Sequence, residues 1–301
     1  MPVSSDYTFR SVGRWRLALL ADMWSRDIEN RVLEIVDLQP WARHPQTLSL
    51  RLPVGGKETD LYVKIFHPAA GSAVLKDAFR LSKAFRGWRQ GIALHDAGFA
   101  VPLAIAVGEL RRRRLLRRAF ILTQKIEGQA AHLFLRNWVR CGDDRSRLAA
   151  KRASLRRAAE LVRRFHRNGF VHGDLVASNI FVSCTGGEPT LYFMDNDRTR
   201  RYPTWAPQSL WKRNLIQLNR MPLPGITLQD RMRFFKSYLG SQKLTACDRR
   251  LAHWLERNTR RRRQECEGID ASGDFRKLMR WCEEFPGTMD VKKPGEDRPR
   301  S

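Results

Sequence analysis

The chain has 301 residues, 42% of them hydrophobic, which suffices for an apolar core and excludes a wholly disordered protein. Its 56 Lys and Arg against 31 Asp and Glu give a formal charge of +25, so its surface attracts polyanions such as nucleic acid, anionic lipid or a phosphorylated glycolipid. Five cysteines without CxxC spacing argue against a disulfide framework or zinc site and favour a reducing cytosol, while the absence of an apolar run of roughly 20 residues argues against a membrane span.

Strands dominate the first part of the chain. Residues 47–52 and 61–66 have strand composition and flank a turn at Gly55-Gly56, which predicts a hairpin. Residues 75–96 carry apolar side chains at helical spacing, and Gly98 ends this predicted helix.

Two further strands are predicted at 101–107 and 119–126, joined by an exposed, arginine-rich turn at 111–118. Glu127-Gly128 then has the character of a hinge between lobes.

The second part is mainly helical. Residues 148–168 show helical periodicity, and two short apolar runs at 180–182 and 191–194 flank a turn, which predicts a hairpin. Thr227 with Asp230 and Thr245 with Asp248 have the spacing of capping boxes.

This order predicts an α+β fold with two lobes. The expected domains are a strand-rich, nucleotide-binding N-lobe at 1–127 and a larger, helical, catalytic and substrate-binding C-lobe at 128–285. Residues 286–301 are rich in Pro, Gly and charges and are predicted to form a disordered tail.

Four polar residues supply the parts that phosphoryl transfer requires, namely a cation for the phosphates, Mg²⁺ ligands and a carboxylate beside the attacking hydroxyl. Asp174 follows a long predicted helix, where its carboxylate can accept the proton of a hydroxyl. Asn179 precedes a strand, and its amide oxygen suits Mg²⁺. Asp195 ends the second strand of the hairpin, which is predicted to return it beside Asn179. Lys64 lies in an apolar strand, where its charge is costly to bury without an anion such as a triphosphate.

Each of these residues alone also has a structural interpretation. A loop Asp after a helix is commonly a cap, an Asn before a strand is commonly a turn residue, and a strand Lys commonly faces solvent. The joint pattern is much more specific: H-G-D-L-x-x-x-N at 172–179, then a hairpin ending in Asp195, with a V-K strand upstream. It predicts an ATP-dependent kinase.

The same segments resemble the bacterial lipopolysaccharide core kinases, the Kdo/heptose kinase or WaaP-like family. Residues 172–180 and 192–198 are similar to the catalytic and metal loops of that family. The H-G-D variant also occurs in aminoglycoside and choline kinases, whereas the flanking segments point to the lipopolysaccharide branch. Those segments are 82–88, 97–102, 213–215 and 230–235.

The resemblance implies a protein-kinase-like fold, ATP and Mg²⁺ as cofactors, and a role for each site residue. Asp174 would be the catalytic base and Lys64 the phosphate-binding lysine. Asn179 and Asp195 would be the Mg²⁺ ligands beside the nucleotide, and Asp197 a further residue for the metal or for loop structure.

The neighbours of Asp174 carry expectations of their own. His172 is expected to pack and hydrogen-bond behind the loop rather than to act as an acid or base. Gly173 replaces the arginine that grips an activation-loop phosphate in regulated protein kinases, which implies activity without such phosphorylation.

Two features depart from the family pattern. No GxGxxG precedes Lys64, and only Gly55-Gly56 is available, on a turn close to that lysine. The helix after Lys64 lacks an evident glutamate to pair with it: Gly87 stands near the expected place, and the nearby acids are Asp77 and Asp96.

Tryptophans scattered among arginines suit a membrane interface, stacking on nucleic acid, or simple core packing. The segment 14–24 is the strongest amphipathic candidate. We hypothesise that this segment or the basic surface rests on the cytoplasmic leaflet.

The sequence thus predicts a kinase that transfers phosphate from ATP to a Kdo or heptose hydroxyl of the lipopolysaccharide core. The expected location is cytoplasmic and peripheral to the anionic inner membrane, with core glycolipid as partner and no specific nucleic acid; the oligomeric state is left open. One alternative is a kinase for another small-molecule or protein acceptor. A non-enzymatic alternative is a pseudokinase or basic adaptor that binds lipid or nucleic acid.

Overall fold

A computed structural model describes residues 6–68, 77–139, 145–184, 189–203, 205–206, 208–220 and 226–267. The predicted tail at 286–301 lies outside the described residues. The chain forms two compact units: residues 1–127 with 192–200, and residues 128–191 with 201–301. The short segment 192–200 therefore belongs to the first unit although it follows much of the second in sequence.

The first unit is built on a six-stranded antiparallel sheet in the order β1-β2-β5-β6-β4-β3. Helices α1 (Arg26–Leu38) and α2 (Lys83–Asp96) accompany it. The strands are β1 (Tyr7–Val12), β2 (Trp15–Leu20), β3 (Gln46–Val54), β4 (Lys57–Phe66), β5 (Ala104–Arg112) and β6 (Leu115–Gln124).

The hairpin predicted around Gly55-Gly56 is confirmed. Strands β3 and β4 pair from Gln46 with Ile65 to Val54 with Lys57. Both glycines have positive φ, +57° and +78°, a backbone conformation that glycine adopts without steric cost.

Both faces of this sheet are covered, and this arrangement corrects the expectation for residues 14–24. Leu17 and Leu19 pack with α1, whereas Ala18 and Leu20 pack with α2. A strand buried on both faces reads as a continuous apolar run, as parallel strands do in α/β folds. Residues 15–20 of the segment are therefore strand β2, with Trp15 only 6% exposed and residues 17–20 in the core, and the hypothesis that the segment rests on a membrane is wrong.

Helix α2 begins later than the apolar spacing predicts. Ser82 caps it by accepting a hydrogen bond from the backbone N–H of Phe85 at 3.3 Å, and Phe79 lies before the cap with 78% of its surface exposed. The helix ends as predicted, with Gly98 at φ +77°.

The arginine-rich turn is also shorter than predicted. Strand β5 continues to Arg112 and β6 starts at Leu115, so the turn consists of Arg113 and Arg114 alone.

The second unit is mainly helical, and it carries the remaining short strands. Helix α4 packs against α6, and α5 packs against α7; β7 pairs with β9 in antiparallel register, and β9 neighbours β10 in the predicted hairpin. The helices are α3 (Ala131–Val139), α4 (Arg145–Arg167), α5 (Ser209–Arg220), α6 (Leu228–Leu239) and α7 (Ala246–Glu267). The strands are β7 (Gln129–Ala130), β8 (Phe170–Val171), β9 (Ile180–Ser183), β10 (Thr190–Phe193), where the chain passes into the first unit, and β11 (Arg200–Arg201).

Both predicted capping boxes are present. Thr227 Oγ1 accepts from the Asp230 backbone N–H, and the Asp230 carboxylate accepts from the Thr227 N–H. Thr245 and Asp248 form the same reciprocal pair before α7, so each helix start satisfies N–H groups that would otherwise lack partners.

Within the described part of the chain, no helix combines the length and the apolar character needed to cross a membrane.

Candidate active site

In the first unit, strand β4 presents Lys64 on the sheet face opposite to Val63 and Ile65, which are fully buried. Its ammonium Nζ lies 2.6 Å from Asp195 Oδ1 and 5.4 Å from the centre of the Phe66 ring. The lysine side chain is 26% exposed and the aspartate 43%. The lysine predicted to need an anionic partner therefore has one, and that partner comes from the predicted metal loop rather than from helix α2.

Asp195 stands at a tight change of chain direction directly after β10. Its φ of +56° and ψ of +54° are left-handed, a region that few residues other than glycine enter and that Asp and Asn tolerate best. The turn that follows is held by Asn196, whose Nδ2 donates to the Phe193 carbonyl at 2.9 Å and whose carbonyl accepts from the Thr199 N–H. Non-glycine residues in this region concentrate at functional sites, so the conformation favours a role for the Asp195 side chain.

The strand leading to this loop is also fixed within the first unit. The Phe193 N–H donates to the Ala100 carbonyl at 3.0 Å, and the Phe193 ring meets Phe99 edge to face with 5.9 Å between centroids. The loop is thereby positioned before any ligand binds.

Asp197 lies two residues after Asp195 in the same turn. Burial raises the pKa of its carboxyl group, and the negative charge of Asp195 raises it further. The cations Lys64, Arg198 and Lys83 act in the opposite direction.

This pair of carboxylates suits a divalent cation. A metal ion beside both would relieve their repulsion, and Mg²⁺ is typically held by one or two carboxylates together with phosphates and waters. Among the described residues, no group of three or more His, Cys, Asp and Glu is placed to hold a metal by itself. The donor set thus fits Mg²⁺ bound together with phosphates better than a metal caged by protein ligands.

Helix α2 approaches the same turn through Gly87. A Cβ built on Gly87 would lie 3.6 Å from the Asp197 Cα, which is ordinary contact distance. A long acidic side chain at this position would extend into the space of the Asp197 turn. Helix α2 therefore meets the turn at the position where a glutamate is expected, and the carboxylate beside Lys64 is that of Asp195.

In the second unit, Asp174 lies in a loop whose backbone is bound on both sides. Its own N–H donates to His172 Nδ1 at 3.0 Å, and its carbonyl accepts from Asn179 Nδ2 at 2.9 Å. The Asn179 amide nitrogen is thus used within the loop, and its oxygen is the atom suited to a metal. His172 is 1% exposed and packs behind the loop, as the resemblance implies.

The chain enters this loop after Gly169, and a steric constraint requires glycine at that position. Gly169 ends helix α4 with φ +81°, and a Cβ there would lie 2.2 Å from the Tyr202 carbonyl oxygen. The Gly169 carbonyl in turn accepts from the Tyr202 N–H at 2.7 Å. Only glycine permits this close approach.

Two amides of helix α5 hold the loop from behind, and sequence reasoning did not assign them this role. Asn214 is fully buried; its Nδ2 donates to the His172 carbonyl at 2.6 Å and its Oδ1 accepts from the His172 N–H at 2.9 Å. Gln217 Nε2 donates to the Gly173 carbonyl at 3.1 Å, and its Oε1 accepts from the Leu175 N–H at 3.3 Å. Asn214 Nδ2 also donates to Gln217 Oε1 at 2.9 Å. The signal available in the sequence is a pair of amides three residues apart on the buried face of an amphipathic helix.

His166, on helix α4, extends this network. Because Asn214 Oδ1 can only accept, His166 Nε2 carries the proton in their 3.3 Å bond, and His166 Nδ1 then accepts from the Tyr238 hydroxyl at 2.8 Å. Burial lowers the pKa of His166 from 6.5 to about 4, while the bond to Asn214 acts in the opposite direction. Burial also raises the pKa of Tyr238 to about 12. Both groups are therefore neutral at pH 7, as a buried network requires.

The predicted site residues thus form two groups. The first unit brings together Lys64, Asp195 and Asp197, and the second brings together Asp174 and Asn179.

A cavity of about 410 Å³ in the second unit is lined mainly by apolar side chains of its helices and of β9. Its walls include Ala177 and Ile180, which flank Asn179, but neither Asn179 nor Asp174. We therefore do not assign phosphoryl transfer to it.

Comparison with known proteins agrees with this architecture. The model of the lipopolysaccharide kinase (Kdo/WaaP) family matches residues 58–238. A 3-deoxy-D-manno-octulosonic acid kinase from Stenotrophomonas maltophilia (strain K279a) is 34% identical over 141 residues, 46% of this chain and 49% of that protein. The match therefore spans about half the length of this curated relative. The solved structure of WaaP in complex with acyl carrier protein has a TM-score of 0.59 at 21% identity, over 82% of this chain and 98% of that chain. This likeness shows that the chain shares the fold of that WaaP structure, in agreement with the predicted two-lobed α+β class.

Proposed function

We propose that this chain, which belongs to the lipopolysaccharide kinase (Kdo/WaaP) family, is an ATP-dependent phosphotransferase for a Kdo or heptose hydroxyl of the lipopolysaccharide core. The observation that carries the proposal is the 2.6 Å ion pair between Lys64 and the left-handed Asp195. In this pair the proposed phosphate-binding cation of Lys64, on strand β4, lies beside the proposed metal-binding carboxylate of Asp195, in the turn after β10. The name of the curated relative, a kinase of 3-deoxy-D-manno-octulosonic acid, favours Kdo as the acceptor sugar.

In the proposed reaction Asp174 accepts the proton of the sugar hydroxyl as its oxygen attacks the γ-phosphorus of ATP. A new P–O bond to the sugar forms, the bond between the γ-phosphorus and the β–γ bridging oxygen breaks, and ADP leaves. The Asn214–Gln217 amides hold the loop backbone so that the Asp174 carboxylate keeps its direction.

Lys64 binds the nucleotide phosphates and neutralises part of their charge. Asn179 and Asp195 would hold Mg²⁺, with Asp197 beside them. The metal, when bound, supplies positive charge against the phosphate oxygens. Until the nucleotide arrives, Asp195 supplies the negative charge that Lys64 requires.

The pairing of Lys64 with Asp195 bears on the alternative of a pseudokinase or adaptor. That alternative rests on the missing helix glutamate and the missing glycine-rich loop, and the Asp195 carboxylate beside Lys64 answers the first of these. An acceptor other than lipopolysaccharide remains the competing enzymatic proposal, and the acceptor specificity of the test below distinguishes them.

We further propose that the protein acts in the cytoplasm, peripheral to the inner membrane, where the core glycolipid is its partner. The WaaP structure contains acyl carrier protein, and we include an acyl carrier protein among the candidate partners of this chain.

The test is phosphate transfer from γ-labelled ATP to deacylated lipopolysaccharide core, compared between the wild type and Asp174→Asn. Loss of the base should reduce kcat by at least ~100-fold. Glu160→Gln is the matched control, because Glu160 is exposed on helix α4 of the same unit, and it should retain full activity.

Two results would contradict the proposal. One is equal transfer by the wild type and Asp174→Asn. The other is efficient transfer to aminoglycosides, choline or protein with none to the core sugar.

A further inference from the structure

In the turn between β5 and β6, two arginines occupy backbone positions that arginine rarely adopts. Arg113 and Arg114 have φ of +50° and +67°. Two-residue hairpin turns of this kind strongly prefer Asn-Gly or Asp-Gly, because Cβ crowds the following carbonyl oxygen at positive φ, a cost that Gly avoids and that Asn and Asp tolerate best. Folding alone therefore does not account for two arginines here, and residues held in such conformations concentrate where function requires them.

A third arginine makes this region rigid. The Arg111 guanidinium donates to the carbonyls of Asp77 at 2.9 Å, Arg80 at 2.7 Å and Arg114 at 2.8 Å, and it pairs with Glu109 at 3.0 Å. It thereby ties residues 77–80 to the turn, and it shares the buried Glu109 carboxylate with Arg16.

The remaining basic groups of this region face solvent. Phe79, with 78% of its surface exposed, lies in the segment that Arg111 ties to the turn. No ion pair of the described residues joins a carboxylate to Arg80, Arg112, Arg113, Arg114 or Arg117; the carboxylate of this region, Glu109, pairs with Arg16 and Arg111. We call the following set the hairpin patch: Phe79, Arg80, Arg112, Arg113, Arg114 and Arg117.

We propose that the hairpin patch docks the protein on an anionic membrane surface, with the Phe79 ring entering the interface. Basic residues near an anionic leaflet each contribute about 1 kcal/mol of attraction, or about fivefold in affinity. An exposed aromatic ring adds apolar burial at the level of the lipid headgroups. The strained turn holds its two arginines at the tip, and Arg111 ties the segment that carries Phe79 to the Arg114 carbonyl.

A membrane fits this patch better than nucleic acid does. Surfaces that bind single-stranded nucleic acid stack successive bases on several aromatic rings, whereas the hairpin patch has one. The choice of a membrane also rests on the proposed function, since a core glycolipid acceptor is anchored in a bilayer.

The test uses the full-length protein and vesicles of phosphatidylcholine with or without phosphatidylglycerol, in a sedimentation assay at low salt. The double variant Arg113→Asn/Arg114→Gly removes two charges while giving the turn its preferred residues, so it should keep or raise the thermal midpoint. We expect it to bind anionic vesicles about 25-fold more weakly. Phe79→Ser should weaken binding about tenfold or more.

The matched control removes the same charge from the other unit. Arg152→Gln/Arg156→Gln alters two exposed arginines of helix α4 and should bind as the wild type does. Equal weakening in both double variants would overturn the proposal, because binding would then follow net charge alone. Indifference of the wild type to anionic vesicles, or preferential binding of an oligonucleotide over them, would also overturn it.

Failure of this proposal is distinguishable from failure of the proposed function. Vesicle binding is measured without ATP, and the turn variant should transfer phosphate to a water-soluble deacylated acceptor as fast as the wild type. If the protein transfers no phosphate but its binding to vesicles depends on the hairpin patch, the proposed function is wrong and the docking proposal stands.

Discussion

Replacing Asn214 with leucine should destabilise the second unit and misplace Asp174. The substitution keeps the side-chain volume roughly unchanged but removes four hydrogen bonds: two with the His172 backbone, one from His166 and one to Gln217. It leaves the His172 N–H and carbonyl buried without these partners. A buried group that loses its partner costs about 1–3 kcal/mol, in place of the roughly 1 kcal/mol that the bond itself contributes, so the two His172 backbone groups at about 2 kcal/mol each give an expected loss of about 4 kcal/mol.

Urea unfolding followed by tryptophan fluorescence measures this loss. Asn214→Asp retains the acceptor oxygen but places a fully buried carboxyl group against the His172 carbonyl and Gln217 Oε1, so it should cost at least as much as the leucine variant at pH 7. Asn258→Leu is the control: its Nδ2 makes one solvent-exposed bond, to the Trp254 carbonyl, and its loss should cost under about 0.5 kcal/mol.

Asn214→Leu should also lower kcat more than it changes KM for ATP. A displacement of about 1 Å at a reacting group can cost about 100-fold in rate, whereas nucleotide phosphates are expected to contact Lys64 in the other unit. Destabilisation under about 1 kcal/mol with unchanged kcat would refute the claim that Asn214 positions the catalytic loop.

Three other predictions concern single side chains. The free energy of unfolding should fall by about 2 kcal/mol from pH 7 to pH 5, because His166 is protonated near pH 6.5 in the unfolded chain but only near pH 4 in the folded protein. Urea unfolding of His166→Gln at both pH values should show a decrease smaller by that amount. An equal decrease in the variant and the wild type would contradict this prediction. Gly87→Ala should raise stability by about 0.5–1 kcal/mol, because its Cβ meets Asp197 at ordinary contact distance and alanine favours a helix. Gly169→Ala should instead lower stability by about 2 kcal/mol or more, because its Cβ would overlap the Tyr202 carbonyl. Thermal melts check both: a lower midpoint for Gly87→Ala would contradict the first explanation, and an unchanged or higher midpoint for Gly169→Ala would contradict the second.

Local patterns predicted much of the fold, because the residues that decide these features are close in sequence. Gly55-Gly56 and the strands beside it specify their own hairpin, and the Thr227–Asp230 capping box specifies a helix start. Helix α4 could also be predicted from the sequence, because its apolar residues recur with the period of a helix.

Three features escaped sequence reasoning for physical reasons. The sequence of strand β2 favours an amphipathic segment, because a strand covered on both faces lacks the alternation of apolar and polar residues that identifies strands. The role of Asn214 depends on a contact with His172 across 42 residues of chain, which no local pattern encodes. The partner of Lys64 was left open because the expected helix position is Gly87, and only the three-dimensional structure brings Asp195 to the lysine.

The central claim, that Lys64 and Asp195 form a nucleotide-phosphate and metal site, is tested most directly by calorimetric ATP binding with and without Mg²⁺. We predict that Lys64→Met weakens binding at least about tenfold, that Asp195→Asn abolishes the dependence on Mg²⁺, and that Lys57→Met, an exposed change on the same strand, matches the wild type. A wild type that ignores ATP in the presence of Mg²⁺, or a Lys64→Met variant that binds as tightly as the wild type, would contradict the claim.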